Sequence, residues 1–216
     1  MLHTTIKNKL FSEYGKYICT DDFLLPWLDL DTINSTMETA HELVREGCPP
    51  WITITARHQS SGRGTHGRSW SSQAGKGLWM SVILPPPVEA ENLSGLSILI
   101  AEVLVSTLRE FADCPFMIKH PNDVTVNGRK IAGILLESAT EHGCVTSVIL
   151  GLGVNFHQTH DDFLEDDLPE ATSLDIETGH APDRDTFLKV LIKQLHSTYE
   201  KFLTNFSSGV YRDSSL

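Results

Sequence analysis

The chain has 216 residues, enough for one generous domain that buries about 70% of the surface its unfolded chain exposes, so it needs no staple to fold. With 28 acidic against 17 basic residues its formal charge is −11, a poor balance for gripping nucleic acid, whose binding rests on neutralised phosphates. Cys19, Cys48, Cys114 and Cys144 stand far apart with no C-x-x-C pair, which argues for thiols in a reducing compartment, and the apolar run Phe23–Leu28 is too short for a signal peptide or a membrane span, so a cytoplasmic protein is expected.

Residues 1 to about 20 carry little periodicity and read as an arm or a first strand. Ser35 with Glu38 has the form of a capping box, and Met37, Ala40, Leu43 and Val44 make one apolar stripe that ends at Gly47, predicting a helix. Over 51–59, Ile52, Ile54 and Ala56 alternate with polar residues, as in a half-buried strand. Ser60 to Gly77 holds five glycines and no apolar period, and so long a loop in a compact domain is usually functional. Residues 78–84 predict a strand stopped by Pro85, Pro86 and Pro87. Leu96, Leu99, Ile100, Val103, Leu104, Leu108 and Phe111 recur at helical spacing and give the longest central helix.

Residues 116–119, 124–126 and 130–136 read as strands, the last two joined through Asn127-Gly128, a strong hairpin signal. Residues 146–156 form a buried strand interrupted by Gly151 and Gly153, whereas 157–182 are polar and read as a loop. Asp183 to Leu203 close as an amphipathic helix with Phe187, Leu191, Leu195 and Phe202 on its inner side. No repeat or linker is visible, so residues 1–216 read as a single domain. Hairpins mixed with helices favour an α+β fold, a mixed, largely antiparallel sheet with helices packed on it.

Three segments carry chemistry. In Gly62-Arg63-Gly64-Thr65-His66-Gly67-Arg68-Ser69-Trp70, glycines let backbone amides approach an anion while guanidinium forks bind its oxygens. The spacing matches neither of the common nucleotide fingerprints, and a flexible basic surface loop is the plainer reading. In Lys119-His120-Pro121-Asn122-Asp123, followed by the hairpin to Lys130 and Gly133, two lysines can converge on one point; the plainer reading is ordinary turn chemistry and a solvated lysine. In Gly151-Leu152-Gly153-Val154-Asn155, glycines inside an apolar strand mark a bulge or a close approach by a ligand. His157, His160, Asp161 and Asp162 fit no standard metal spacing, so no protein metal site is expected.

Taken together and in order, GRGTHGRSW, KHPND, KIAGILLE and GLGVN resemble the biotin–protein ligase family, whose hallmarks are a GRGRRGRxW loop, a KWPND turn, a K-x-x-G-I-L-x-E strand and a G-x-G-x-N strand. Asn34-Ser35-Thr36 and Gln59 also match places where that family touches biotin, and the resemblance covers roughly residues 30 to 205. It implies a class II aminoacyl-tRNA synthetase-like catalytic domain. It also implies two half-reactions: biotin and ATP, with Mg2+, give biotinyl-AMP, and a lysine of a biotin carboxyl carrier domain of acetyl-CoA carboxylase then takes the biotin.

The resemblance assigns biotin contacts to Ser35, Thr36, Gln59 and Gly133, and sets Gly62, Arg63, Gly64 and Thr65 along biotin and the adenylate. Arg68 would face ATP phosphates, Trp70 would stack near the adenylate, and Lys119 and Asn122 would help hold phosphates and metal. Lys130 would contact the carboxylate and the reacting phosphate, Asp123 would meet the acceptor lysine, and Asn155 would lie near the nucleotide. Lys130, Arg68, Asp123 and Arg63 are thus the expected catalytic residues, with Trp79, Leu135 and Val154 as candidate walls.

The departures are Thr65-His66 in place of paired arginines and His120 in place of tryptophan. No N-terminal helix-turn-helix and no C-terminal SH3-like β-barrel domain are expected, and no nucleic-acid or membrane partner; oligomeric state stays open. The rival readings are a lipoate or octanoate ligase or transferase of the same superfamily, and a non-catalytic biotin or adenylate binder.

Overall fold

A computed structural model of the protein describes residues 11–20, 23–87, 95–142 and 144–207. The expected arm lies for its first ten residues outside them. The chain begins with β1 (Gly15–Cys19), β2 (Leu24–Ile33), α1 (Thr36–Arg45), β3 (Thr53–Gln59) and β4 (Gly77–Leu84). It continues with α2 (Leu96–Phe111), β5 (Phe116–Lys119), β6 (Asp123–Val126), β7 (Arg129–Glu141) and β8 (Cys144–Asn155). Two short helices, α3 (His160–Glu165) and α4 (Leu174–Thr178), lead to α5 (Arg184–Ser207).

The eight strands form one sheet in the order β1-β2-β3-β4-β8-β7-β6-β5. Among these pairings only β2 with β3 is parallel, and α1 makes its crossover. The mixed, largely antiparallel sheet expected from the sequence is what the structure contains.

Strand periodicity decides what each face meets, because successive side chains point to opposite sides. Leu78, Met80, Val82 and Leu84 of β4 join Val148, Leu150, Leu152 and Val154 of β8 in the larger core, under α2 and α5. On that side Phe187, Leu191, Leu195 and Tyr199 are buried, each side chain contributing about 1.5–3 kcal/mol. The opposite face places Ile83 and Ile149 against Met37, Ala40 and Leu43 of α1. α1 lies against β3, β4 and β8, and beyond it the face over β7 is roofed by the glycine-rich loop instead of a helix. That change of roof makes the cavity.

β2 itself contains Pro26, which pairs with Tyr17 of β1 one residue before the parallel ladder with β3 begins at Trp27. Three sequence expectations need correction. The stretch 157–182 contains α3 and α4. Thr159 and Asp162 form a reciprocal capping box for α3, and α4 starts on a Ser173 cap and stops at Gly179 in the left-handed region. Ser35 does cap α1, but through the Met37 N–H, not by the reciprocal box with Glu38. β7 and β8 run on as a long hairpin to Glu141 and Cys144, past the polar residues where periodicity faded.

A cavity roofed by the glycine-rich loop

A cavity of about 190 Å³ opens on this face of the sheet. Ser35, Thr36, Gln59, Arg63, Gly64, Thr65, Arg68, Trp70, Asn122, Lys130, Gly133 and Asn155 all border it, bringing together segments that lie up to 120 residues apart. Gly62 lies beneath the loop, where a Cβ would meet the Trp70 carbonyl at 2.4 Å. Asp123 stands behind Lys130. Lys119 is exposed on β5 and does not border the cavity. Leu135 does border it, whereas Trp79 and Val154 are buried in the sheet beneath.

The cavity's first end is polar and held by its own bonds. Gln59 Oε1 accepts from the Thr36 N–H at 2.8 Å and from its hydroxyl at 3.1 Å. Gln59 Nε2 donates to Ser72 Oγ at 2.7 Å, and Ser81 Oγ donates to Thr36 Oγ1 at 2.8 Å. Buried hydroxyls and an amide locked in this way present fixed donors and acceptors to a small polar ring.

The loop is not featureless. Trp70 N–H donates to Gly62 O at 2.9 Å and Gly64 N–H to Arg68 O at 2.7 Å, making a narrow two-stranded ribbon with its tip at Thr65–Gly67. His66 and Gly67 both have positive φ there. Thr65, which stands where an arginine was expected, accepts the Arg68 guanidinium on its hydroxyl at 3.0 Å. Arg63 reaches down to Glu137 of β7 at 2.7 Å, and the same carboxylate meets His41 of α1 at 2.5 Å.

At mid-cavity Gly133 and Gly153 face each other across the β7–β8 ladder, and the Trp70 indole lies on both. Lys130 Nζ sits 5.0 Å above that ring and 2.7 Å from Asp123. A cation over an aromatic face, with one carboxylate partner, is a group that can turn toward an arriving anion. Lys130 is placed by chain far along the sequence: its N–H donates to Glu170 O, and its carbonyl accepts from Thr172 N–H, both at 2.8 Å.

At the other end Asn155 Nδ2 donates to Thr172 O, and Gln158 Nε2 donates to Asn155 Oδ1. Phe163, Leu168 and Ala171 add apolar walls. Sequence reading missed these four, because a glutamine in a polar stretch gives no signal and the walls come from a segment read as loop; the Thr159–Asp162 cap was the available clue. The Thr159 backbone N–H holds the Asp162 carboxyl below its usual range, helped by Lys76. Asn122, expected on phosphates, borders the cavity while its amide donates to Ile134 O at 3.0 Å.

Comparison with known proteins shows the family. Residues 30–155 match the family model described as the biotin/lipoate A/B protein ligase family. The chain is 37% identical over 175 residues to the bifunctional ligase/repressor BirA of Bacillus spizizenii, covering 81% of this chain and 54% of that protein. It is 32% identical over 183 residues to the biotin–[acetyl-CoA-carboxylase] ligase of Mycobacterium tuberculosis, covering 79% and 64%. The chain thus spans about half the length of the BirA relatives it matches. The biotin protein ligase of Aquifex aeolicus, solved with biotin and ATP, superposes with a TM-score of 0.70 at 31% identity, covering 82% of this chain and 72% of that one.

Proposed function

Because the chain belongs to the biotin/lipoate A/B protein ligase family, we propose that it uses ATP to attach biotin to a lysine of a biotin carrier domain, of the acetyl-CoA carboxylase type, in the cytoplasm. The observation that carries this reading is Lys130, held by Asp123 and Trp70 between a polar end and an amide-lined apolar end of one cavity. Among the described residues no helix is long and apolar enough to cross a membrane.

In the first step a biotin carboxylate oxygen bonds to the α-phosphorus of ATP, the bond to the β-phosphate oxygen breaks, and pyrophosphate leaves. Two anions must be brought together, and Lys130, Arg63 and Arg68 are the cations bordering the cavity for that purpose. Ser35, Thr36 and Gln59 would take the biotin ring system at the polar end. Gly62, Gly64 and Thr65 keep the ribbon close enough to lie along the adenylate. Gly133 leaves room for the Trp70 ring over the reacting groups. Asn155 belongs to the nucleotide end, and Asn122 and Lys119 to the side from which the triphosphate enters.

In the second step the acceptor amine bonds to the acyl carbon, AMP leaves, and the amine's proton is lost. Asp123, paired with Lys130, would orient that amine. Among the described residues no group of three or more His, Cys, Asp and Glu is placed to hold a metal ion. Magnesium belongs to this reading as the counter-ion that ATP carries as substrate.

The test is transfer of labelled biotin to a carrier domain, with and without ATP, and with lipoate as competitor. Transfer should require ATP and ignore lipoate, and Lys130→Ala should lower it by about 100-fold or more, the scale for losing one charge-stabilising group. Transfer without ATP, or preferential use of lipoate, would overturn the reading.

A further inference from the structure

Strand alternation by itself would put Lys130 on the wrong side of β7. Ala132 and Ile134 are buried in the larger core, and Lys130, an even number of residues before them, would by that period point there too. It borders the cavity instead. A β-bulge makes the difference. Thr125 of β6 pairs with Lys130 and Val124 with Ala132, which leaves Ile131 as an extra residue on β7. Ile131 joins Ala132 in the core, and Lys130 turns to the cavity beside Gly133.

A bulge disrupts the ladder, so this corner of the hairpin needs other ties. β8 ends at Asn155, and the backbone at 170–172 takes its place beside Lys130, bridging it at Ala171. One carboxylate joins that stretch to the corner. The Glu177 side chain, on α4, is only 4% exposed and does not border the cavity. Its Oε1 accepts from Arg129 Nη2 and from Thr172 Oγ1, both at 2.6 Å, and its Oε2 accepts from Asn127 Nδ2 at 2.8 Å. Asn127 is the turn residue with positive φ, Arg129 immediately precedes Lys130, and Thr172 supplies the N–H that binds the Lys130 carbonyl. A buried carboxylate with both oxygens engaged resists movement of its donors, because any shift of the corner would leave a charge unpaired.

We infer that Glu177 is a positioning residue for the first step of the reaction: its carboxylate holds the hairpin corner in the bulged register that presents Lys130 to the cavity. The inference rests on the role of Lys130 proposed above. Glu177 touches no reacting group and acts through Lys130. Without the clamp, the corner can relax toward the unbulged ladder, in which the lysine faces away from the cavity. The polar end at Ser35, Thr36 and Gln59 is carried by α1 and β3 and does not depend on this corner.

The experiment measures kcat for biotin-dependent pyrophosphate release from ATP in a double-mutant cycle. Glu177→Ala should lower kcat about 10-fold, the scale of one hydrogen bond to a charged group. In a Lys130→Ala background the same substitution should lower it no further, because nothing is left to position. Glu177→Gln keeps the shape and one acceptor oxygen, and should give the same pattern with a loss of about 3-fold should the alanine variant fold poorly. Asp29→Ala removes another partly buried carboxylate, one that does not border the cavity, and below its melting temperature should leave kcat at the wild-type value. Equal losses in the two backgrounds, no loss at all, or a matching loss in Asp29→Ala would each overturn the inference. Absence of ATP-dependent release from the wild type overturns the activity together with the inference, whereas release with equal losses in both backgrounds overturns the inference alone.

Discussion

Gly153 shows how little space a single position leaves. A Cβ there would stand 2.5 Å from Cε2 and Nε1 of the Trp70 indole, and one on the facing Gly133 would stand 2.6 Å from Cζ3. Gly153→Ala should therefore push the indole off its seat at an overpacking cost of about 1–3 kcal/mol. Tryptophan emission should shift to the red, and biotin transfer should fall; unchanged emission and an unchanged melting temperature would contradict the placement of Trp70. Sequence reading recognised that Gly151 and Gly153 mark a close approach. It had no means of telling that a tryptophan more than 80 residues earlier makes that approach, because the contact exists only once β8 lies beside β7 and the loop folds over both.

The ribbon from Gly62 to Trp70 is a small element with few anchors. Its strongest tie to the sheet is Arg63 on Glu137, whose carboxylate also holds His41. Arg63 is about half exposed, so the pair contributes at most about 1 kcal/mol to stability. Its consequence is local order. Glu137→Gln should leave the melting temperature nearly unchanged while trypsin cuts after Arg63 several-fold faster, and equal cleavage rates would show that the ribbon is held by its backbone bonds alone. The KIAGILLE motif placed Glu137 on a strand, yet its partners come from α1 and the loop, and a sequence motif carries no record of such partners.

On the scale of the whole molecule, Asp29 ties three elements together. It accepts from Lys16 of β1 and Arg184 of α5, each at 2.7 Å, and from Thr55 of β3 at 2.9 Å. Burial by itself would raise its pKa, but the bonds from Lys16, Arg184 and Thr55 prevail and hold it below its ordinary 3.8. Arg184 moves the complementary way, raised by Asp29 and Asp185 against its own burial. A carboxyl depressed in the folded state contributes stability above its unfolded pKa and loses it as pH falls through the lower folded value. Asp29→Ala should cost about 1–3 kcal/mol at neutral pH, since it takes from a largely buried guanidinium one of its two carboxylates and leaves only Asp185. The variant should also lose less stability than wild type as pH falls below the ordinary carboxylate range, where wild type must protonate Asp29. Parallel acid-unfolding curves for the two proteins would exclude this role.

What residue order settled unaided is everything with a short physical period. The α1 stripe, the α2 and α5 repeats, the alternating strand at 53–59 and the Asn127-Gly128 hairpin follow from side chains within a few residues of one another. The four motif segments were legible only as an ordered set, through the family they resemble, since each alone had a plainer reading. The tertiary structure alone decided which segments meet. The backbone at 170–172 pairs with Lys130 and receives the Asn155 amide, so both side chains are set by a stretch with no motif. Such choices rest on hydrogen bonds between residues some 15 to 40 positions apart, and those bonds are specified by packing of the whole sheet, not by any local propensity.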